Sequence, residues 1–410
     1  MRLEAAADFR PGRARHCTMR DLVVALIATL AVQTFASFSV FTPPILAPMA
    51  QTDVGVAASA IGIFTSCIYF LATLSAPIGG TFVARHGPVR VSQACLLFAA
   101  AGMAICTLAH PLALLAGAVA IGCGYGPVTP ASSALLVERT PPQVRNLIMS
   151  IRQTGVPVGG AIAGATVPAV MLAVGWRGAA FVIALLCVAL AVALQPLRRA
   201  YDRPSGTAAP RPSLAAMLRM VLRHPGLRRV SLASFTYASI QMCFATFLVV
   251  FLTERAGRTL VEAGAALASA MVGGIVGRIL WGVVADRLGN ARIVLGALGL
   301  AMAGGTIVLA QVTAAWPYWG VVALCVFTGA SAIGWNGVYV AEVARIAPGG
   351  EVALATGASL GMTYFGVVVG PLAFWLVIAL SESYVLAYTL VGIFTGAAAM
   401  TYFRKDRMRA

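Results

Sequence analysis

Long apolar blocks recur along this chain of 410 residues, most of them about 20 residues or more, with short breaks between them. A block of that length crosses a hydrocarbon layer roughly 30 Å thick at 1.5 Å per residue in a helix. Helices are the expected form, because exposed strand edges do not survive in lipid. Charged residues make up only 10 % of the chain, against 60 % apolar. A water-soluble protein of this length could not cover its surface with so few charges. The pattern therefore predicts an all-α polytopic membrane protein. Twelve spans are predicted, over 21–48, 55–80, 89–109, 111–136, 147–173, 176–196, 229–253, 260–284, 291–312, 316–342, 351–380 and 383–403. The first block is too long for a signal-peptide core and contains Pro43-Pro44, so it is read as a membrane helix.

Charge tests the count. With the N-terminus inside, 24 Lys and Arg fall in interior segments, and only Arg177, Arg255 and Arg258 fall outside. Basic residues collect on the cytoplasmic side of membrane helices, and a miscount by one span would scramble this bias. The expected placement is a multi-pass protein of the cell's inner (cytoplasmic) membrane with both termini cytoplasmic. The net charge of +16 is accounted for by topology, so the lipid bilayer is expected as the basic surface's partner and nucleic acid is not.

The long polar segment is 197–228, carrying Arg198, Arg199, Arg203, Arg211, Arg219, Arg223 and Arg228. It divides the chain into an N-terminal six-helix bundle (1–196), a cytoplasmic basic linker (197–228) and a C-terminal six-helix bundle (229–410). Residues 203–213 read as a flexible spacer, and 213–224 as a tether with a topogenic charge cluster, with a short amphipathic helix at the membrane surface as the alternative. The eight cysteines form no Cys-x-x-Cys, and seven lie singly in apolar blocks. They read as small buried hydrophobes. With four histidines, all in or near loops, neither a metal centre nor a cofactor is expected.

A short stretch occurs twice. The first copy runs Gly80-Thr-Phe-Val-Ala84-Arg85-His-Gly87-Pro88-Val-Arg90, and the second Gly282-Val-Val-Ala-Asp286-Arg287-Leu-Gly289-Asn290-Ala-Arg292. A second echo pairs Gly124-Tyr-Gly-Pro-Val-Thr-Pro-Ala131 with Gly334-Trp-Asn-Gly-Val-Tyr-Val-Ala341. Two related six-helix halves follow, an arrangement suited to a carrier that rocks about a central site.

The repeated loop resembles the Gly-x-x-x-Asp-Arg-x-Gly-Arg-Arg/Lys signature of the major facilitator superfamily, found between helices 2 and 3 and again between helices 8 and 9. Gly282, Asp286, Arg287 and Gly289 match in the second copy, and Gly80, Arg85 and Gly87 in the first. Ala84, Pro88 and Asn290 depart from it. The resemblance implies that the aspartate meets the N-terminal end of a helix in the opposing half when the carrier faces outward, where free N–H groups favour a carboxylate. Asp286 would then face the start of helix 5, near Arg145 and Asn146. Ala84 cannot make the equivalent ionic contact, so the latch is expected to be asymmetric, with Glu351 pairing instead with Arg85 or Arg345.

Two arginines, Arg152 and Arg278, fall inside apolar blocks, where a charge is expensive unless it reaches water, a polar partner or an anion. Both stand among glycines, which mark close helix contact rather than lipid. In the family, helices 5 and 8 pack across the halves, and several organic-anion carriers hold a carboxylate with an arginine in helix 8. By that resemblance Arg278 is the expected anion ligand, with Arg152 a second ligand or a gate element. The alternatives are that Arg278 snorkels or holds Asp286 or Glu342, and that Arg152 holds Glu138. Trp281, one turn from Arg278, could stack on a planar substrate or simply pack. Gln153, Tyr237, Asn336 and Tyr364 are further cavity candidates, alongside Gln33, Tyr69, Gln241 and Tyr339.

No Asp, Glu or His lies near the middle of a span. Proton coupling would therefore run through an end residue such as Glu342 or through the substrate itself. The leading expectation is a secondary or facilitated transporter of a small organic anion such as a carboxylate, working by alternating access as a monomer. The alternative is a multidrug or metabolite exporter of the same family. An enzyme is disfavoured, since no nucleophile–base pair or clustered acid set is evident.

Overall fold

A computed structural model describes residues 19–202, 214–348 and 351–403. Arg2, Arg10, Arg13 and Arg15, the 203–213 spacer and the Arg404–Arg409 tail lie outside the described residues. The first half contains α1 (Met19–Val54), α2 (Ile61–His86), α3 (Pro88–Cys106), α4 (Pro111–Tyr125), α5 (Val128–Val137), α6 (Arg145–Gln153), α7 (Gly155–Ala193) and the single turn α8 (Arg198–Tyr201). α9 (Leu214–Arg223) is the short helix given as the alternative in the linker. The second half contains α10 (Pro225–Glu254), α11 (Leu260–Leu288), α12 (Ala291–Leu309), α13 (Tyr318–Ala332), α14 (Asn336–Ile346), α15 (Val352–Ser381) and α16 (Tyr384–Met400). No strand occurs among the described residues.

Ten stretches are helical, long and apolar enough to cross a membrane, and α16 is a shorter apolar helix of 17 residues. One of the ten, Leu147–Tyr201, has 55 residues. That is roughly 80 Å of helix, more than two bilayer cores. The chain reverses within it at Gly175, whose φ of 73° and ψ of 169° interrupt α7. Trp176 accordingly donates to Asp53 at the far end of α1, while Ala191 accepts from Gln93 near the start of α3. Counting that stretch twice makes twelve crossings, as predicted.

Each copy of the repeated loop turns on its second glycine, with φ of 88° at Gly87 and 59° at Gly289. Only glycine takes such conformations without strain. The next residue explains how each copy departs from the family pattern. Asn290 caps α12 with its own side chain, accepting from Ile293 N at 3.3 Å. Pro88 cannot cap, and Asp202 does so from the other end of the half. Its carboxylate accepts from Val89 N at 2.7 Å and Arg90 N at 3.1 Å, and pairs with Arg198 at 3.5 Å. A carboxylate suits the free N–H groups at a helix N-terminus.

The buried core divides in a way that positions the site. At the end opposite the repeated loops, one cluster spans both halves, joining Phe41, Ile45 and Phe64 to Phe247, Phe251 and Phe374. At the loop-bearing end the halves have separate cores. One contains Val83, Leu96, Leu135 and Ala191. The other contains Tyr237, Leu298, Trp335 and Tyr402. Backbones come close across the halves where glycines stand. A Cβ on Gly264 of α11 would stand 2.5 Å from the carbonyl of Gly164 of α7, and one on Gly62 of α2 would stand 2.6 Å from Pro371 O of α15. The molecule is thus closed at the far end and parted at the loop-bearing end.

Candidate functional site

Three spans break in the region where the halves face one another. The fourth is interrupted at Gly126-Pro127 between α4 and α5, the fifth at Thr154 between α6 and α7, and the tenth over 333–335 between α13 and α14. A broken helix leaves carbonyls without their N–H partners, and such groups are tolerated at membrane depth where they are re-paired or line a cavity. The arginines sit at these breaks.

Arg278, on α11, donates Nε to Ile333 O at 3.2 Å and Nη1 to Gln153 O at 3.3 Å. The second bond crosses between the halves. Its acceptor is free for a definite reason. In a helix the carbonyl of residue 153 accepts from the N–H of residue 157, and residue 157 is proline. Pro157 thus supplies the acceptor that Arg278 uses.

Arg152, on α6, is 2 % exposed. Its Nη1 donates to Gln33 Oε1 of α1 at 3.3 Å, and its buried Nε has no partner among the described residues. Gln33 passes the bonding on, donating Nε2 to Ser37 Oγ one turn along α1 at 3.3 Å. Ser37 Oγ lies 3.4 Å from Tyr125 Oη, and Tyr125 meets Tyr69 edge-on with ring centroids 5.7 Å apart. Tyr125 lies within electrostatic reach of both guanidinium groups. Tyr364, on α15, is within reach of Arg152 and of Tyr125. Its side chain is 46 % exposed. Among the described residues, the ionisable neighbours acting on Arg152 are Tyr125 and Tyr364, and on Arg278 Tyr125, with no carboxylate among them.

Arg152, Arg278, Tyr364 and the backbone of Gln153 therefore come together. Asn336 joins them at the tenth-span break, its Nδ2 3.4 Å from the same Ile333 carbonyl that Arg278 uses. Trp281 is turned onto α13, donating Nε1 to Ala330 O at 2.9 Å. Tyr237 lies apart, in the core of the second half. It is 1 % exposed, donates to Leu295 O at 2.7 Å and packs edge-on to Trp335. Neither arginine makes the acidic contact considered for it: Arg278 meets neither Asp286 nor Glu342, and Glu138 pairs with Arg139 instead of Arg152. Ser37 and Tyr125 were not picked out from the sequence. The available signal was the i, i+4 spacing of Gln33 and Ser37, and a tyrosine within the glycine-rich echo.

The residues expected to form a latch do not meet across the halves among the described residues. Asp286, Arg287 and Gly289 are exposed, and Gly80 and Gly282 face open space. Asp286 makes no ion pair among the described residues. Arg145, its expected neighbour, donates instead to the carbonyls of Val137 and Thr140 at 3.4 and 3.5 Å; the side chain of Asn146 lies outside the description. Glu351 pairs with neither Arg85 nor Arg345. Arg85 is exposed, and Arg345 is held by Glu342, which is 3 % exposed, through two bonds of 2.7 and 2.6 Å. The separated loop ends account for Asp286 and for Arg85, while Arg345 is already held by Glu342 within its own half.

A separate cavity of about 340 Å³ opens between α1, α2, α3 and α4 toward the far end, lined by residues such as Leu46, Ala50, Ile61, Phe64 and Leu115. Its walls are almost wholly apolar and it holds neither arginine, so it offers nothing to fix a charged ligand.

A family model described as Major Facilitator Superfamily matches residues 27–371. The gallate transporter of Pseudomonas putida is 25 % identical over 427 aligned positions, covering 94 % of this chain and 92 % of that protein. The probable sulfoacetate transporter SauU of Cupriavidus necator is 24 % identical over 292, covering 66 % of this chain and 67 % of its own length. The hexuronate transporter of Bacillus subtilis is 22 % identical over 251, and this chain spans only 59 % of it. Among solved structures, a bacterial homologue of the human lysosomal transporter Spinster, inward-facing and unoccupied, superposes with a TM-score of 0.76 at 16 % identity, covering 94 % of this chain and 97 % of that one. The nucleoside transporter NupG, as its D323A mutant, gives 0.76 at 12 % identity, covering 93 % and 99 %. At these identities the structures speak for the fold.

Proposed function

The chain belongs to the Major Facilitator Superfamily, and from that membership we propose that it carries a small organic anion by alternating access, seated between Arg152 and Arg278. As a member it is a multi-pass membrane transporter of a small molecule rather than an enzyme. The observation that carries the anion reading is that two guanidinium groups from opposite halves, linked through the backbone of Gln153, have only neutral hydrogen-bond partners among the described residues. Arg152 bonds an amide oxygen and Arg278 two carbonyls. Removing a charge from water costs several kcal/mol unless an opposite charge compensates. An anionic cargo supplies that compensation, and sulfoacetate, hexuronate and gallate, named for the three relatives, are all organic anions.

In this reading the repeated loops are cytoplasmic, as the Lys and Arg bias requires, and the described conformation is open to the cytoplasm. The halves, 1–196 and 229–410, rock about the small-residue contacts at the far end, tethered by the 197–228 linker. When the loop ends close, Asp286 reaches the start of α6 and the latch forms. The test is uptake into liposomes of an anion first identified by thermal shift. Arg278→Ala is expected to abolish uptake, and Arg278→Lys to weaken it because an ammonium cannot reproduce the planar fork. Unchanged affinity and rate in both variants would overturn the proposal.

A further inference from the structure

Resting on that reading, we infer that the site is built for a doubly charged anion, one acidic group on Arg152 and the other on Arg278. The two arginines come from opposite halves, yet Arg278 Nη1 lies 3.3 Å from the carbonyl of the residue next to Arg152. Their surroundings are unequal in a useful way. Arg152 is held from below by Gln33 and keeps a buried, unpartnered Nε. Arg278 is half-buried and holds two neutral carbonyls at helix breaks, acceptors that a carboxylate or sulfonate displaces because charge-assisted bonds are the stronger ones. Tyr125 lies within reach of both groups and is tied through Ser37 and Gln33 to Arg152. Within reach of both charge sites, it offers a hydroxyl to the body of the ligand.

A singly charged anion can satisfy one guanidinium and leaves the other uncompensated. A dianion satisfies both and bridges the halves in the loop-side third of the molecule, where their cores are otherwise separate. The same bridge draws the halves toward closure. The charge count of the cargo is thus written into the site, beyond its sign.

The experiment compares matched ligands that differ in one charge: malonate against malonamate, and succinate against succinamate, measured by thermal shift and calorimetry on the purified full-length protein at neutral pH. At least one dianion is expected to bind about tenfold or more tightly than its half-amide, which can make one fewer charge-assisted hydrogen bond. Arg152→Gln is expected to weaken the dianion far more than its half-amide and so bring that ratio to within about twofold, and Arg152→Lys, which keeps the charge, to retain most of the preference. Half-amides that bind as well as the diacids overturn the inference while leaving the organic-anion reading intact. So does a preference that survives Arg152→Gln unchanged. If neither member of either pair binds, the inference falls, whereas the organic-anion reading is still judged by its own uptake test with Arg278→Ala.

Discussion

The contact of α7 with α11 at the far end offers the sharpest test of how the halves move. A Cβ on Gly164 would meet Gly264 O and stand 2.8 Å from Ala268 N, while one on Gly264 would stand 2.5 Å from Gly164 O and from Pro168 Cγ. Non-bonded atoms settle at about 3.5 Å. A methyl at position 164 therefore forces the helices apart by roughly 0.5–1 Å, and the neighbours on α11 are backbone, which cannot turn aside. Overpacking of this kind costs about 1–3 kcal/mol. The cost falls on the conformation closed at this end, because the helices no longer touch there once that end opens. The equilibrium should then shift about 5- to 150-fold toward opening at the far end. Spin-label distances across each end in Gly164→Ala would show the shift, with slower transport alongside. Unchanged distances and rate in a folded Gly164→Ala, and again in Gly164→Leu, would mean that this contact is not the pivot.

Other changes follow from single contacts. Pro157→Ala restores an N–H for Gln153 O and releases Nη1 of Arg278, so anion affinity should rise several-fold with thermal stability held; equal affinity in calorimetry refutes the tether. Gln33→Leu leaves Arg152 buried with no polar partner at Nη1, and should lower stability by about 1–3 kcal/mol in thermal unfolding, an effect that saturating anion partly offsets. Asp202→Ala removes the cap on α3 and should cost about 0.5–2 kcal/mol, whereas Asn290→Ala on the other copy should cost a similar amount independently, so the double variant should show additive melting shifts.

Much of the architecture was legible because membrane helices obey local rules. Twelve crossings, the all-α class and the repeated loops all follow from apolar length, from charge bias and from glycine spacing, each a property of nearby residues. Even the two crossings that run together in one helical stretch of 55 residues were predicted separately, over 147–173 and 176–196. The two arginines stood out for the same reason, as charges in apolar surroundings. Their partners did not. Gln33 is 119 residues from Arg152, and Gln153 is 125 from Arg278. The cap on α3 comes from Asp202, 113 residues after Val89.

What the sequence by itself determined is therefore the set of helices, their order across the membrane and the presence of unpaired positive charge. What only the tertiary structure decided is the company each charge keeps. Hydrophobic length acts residue by residue along one chain segment and needs no partner to be read. A hydrogen bond needs two groups within about 3 Å, and which groups come that close depends on how the helices pack and on which end of the molecule is closed. The same dependence leaves Asp286 without an ion pair among the described residues, although Gly282, Asp286, Arg287 and Gly289 all match the family signature, because the contact proposed for it belongs to the other arrangement of the halves.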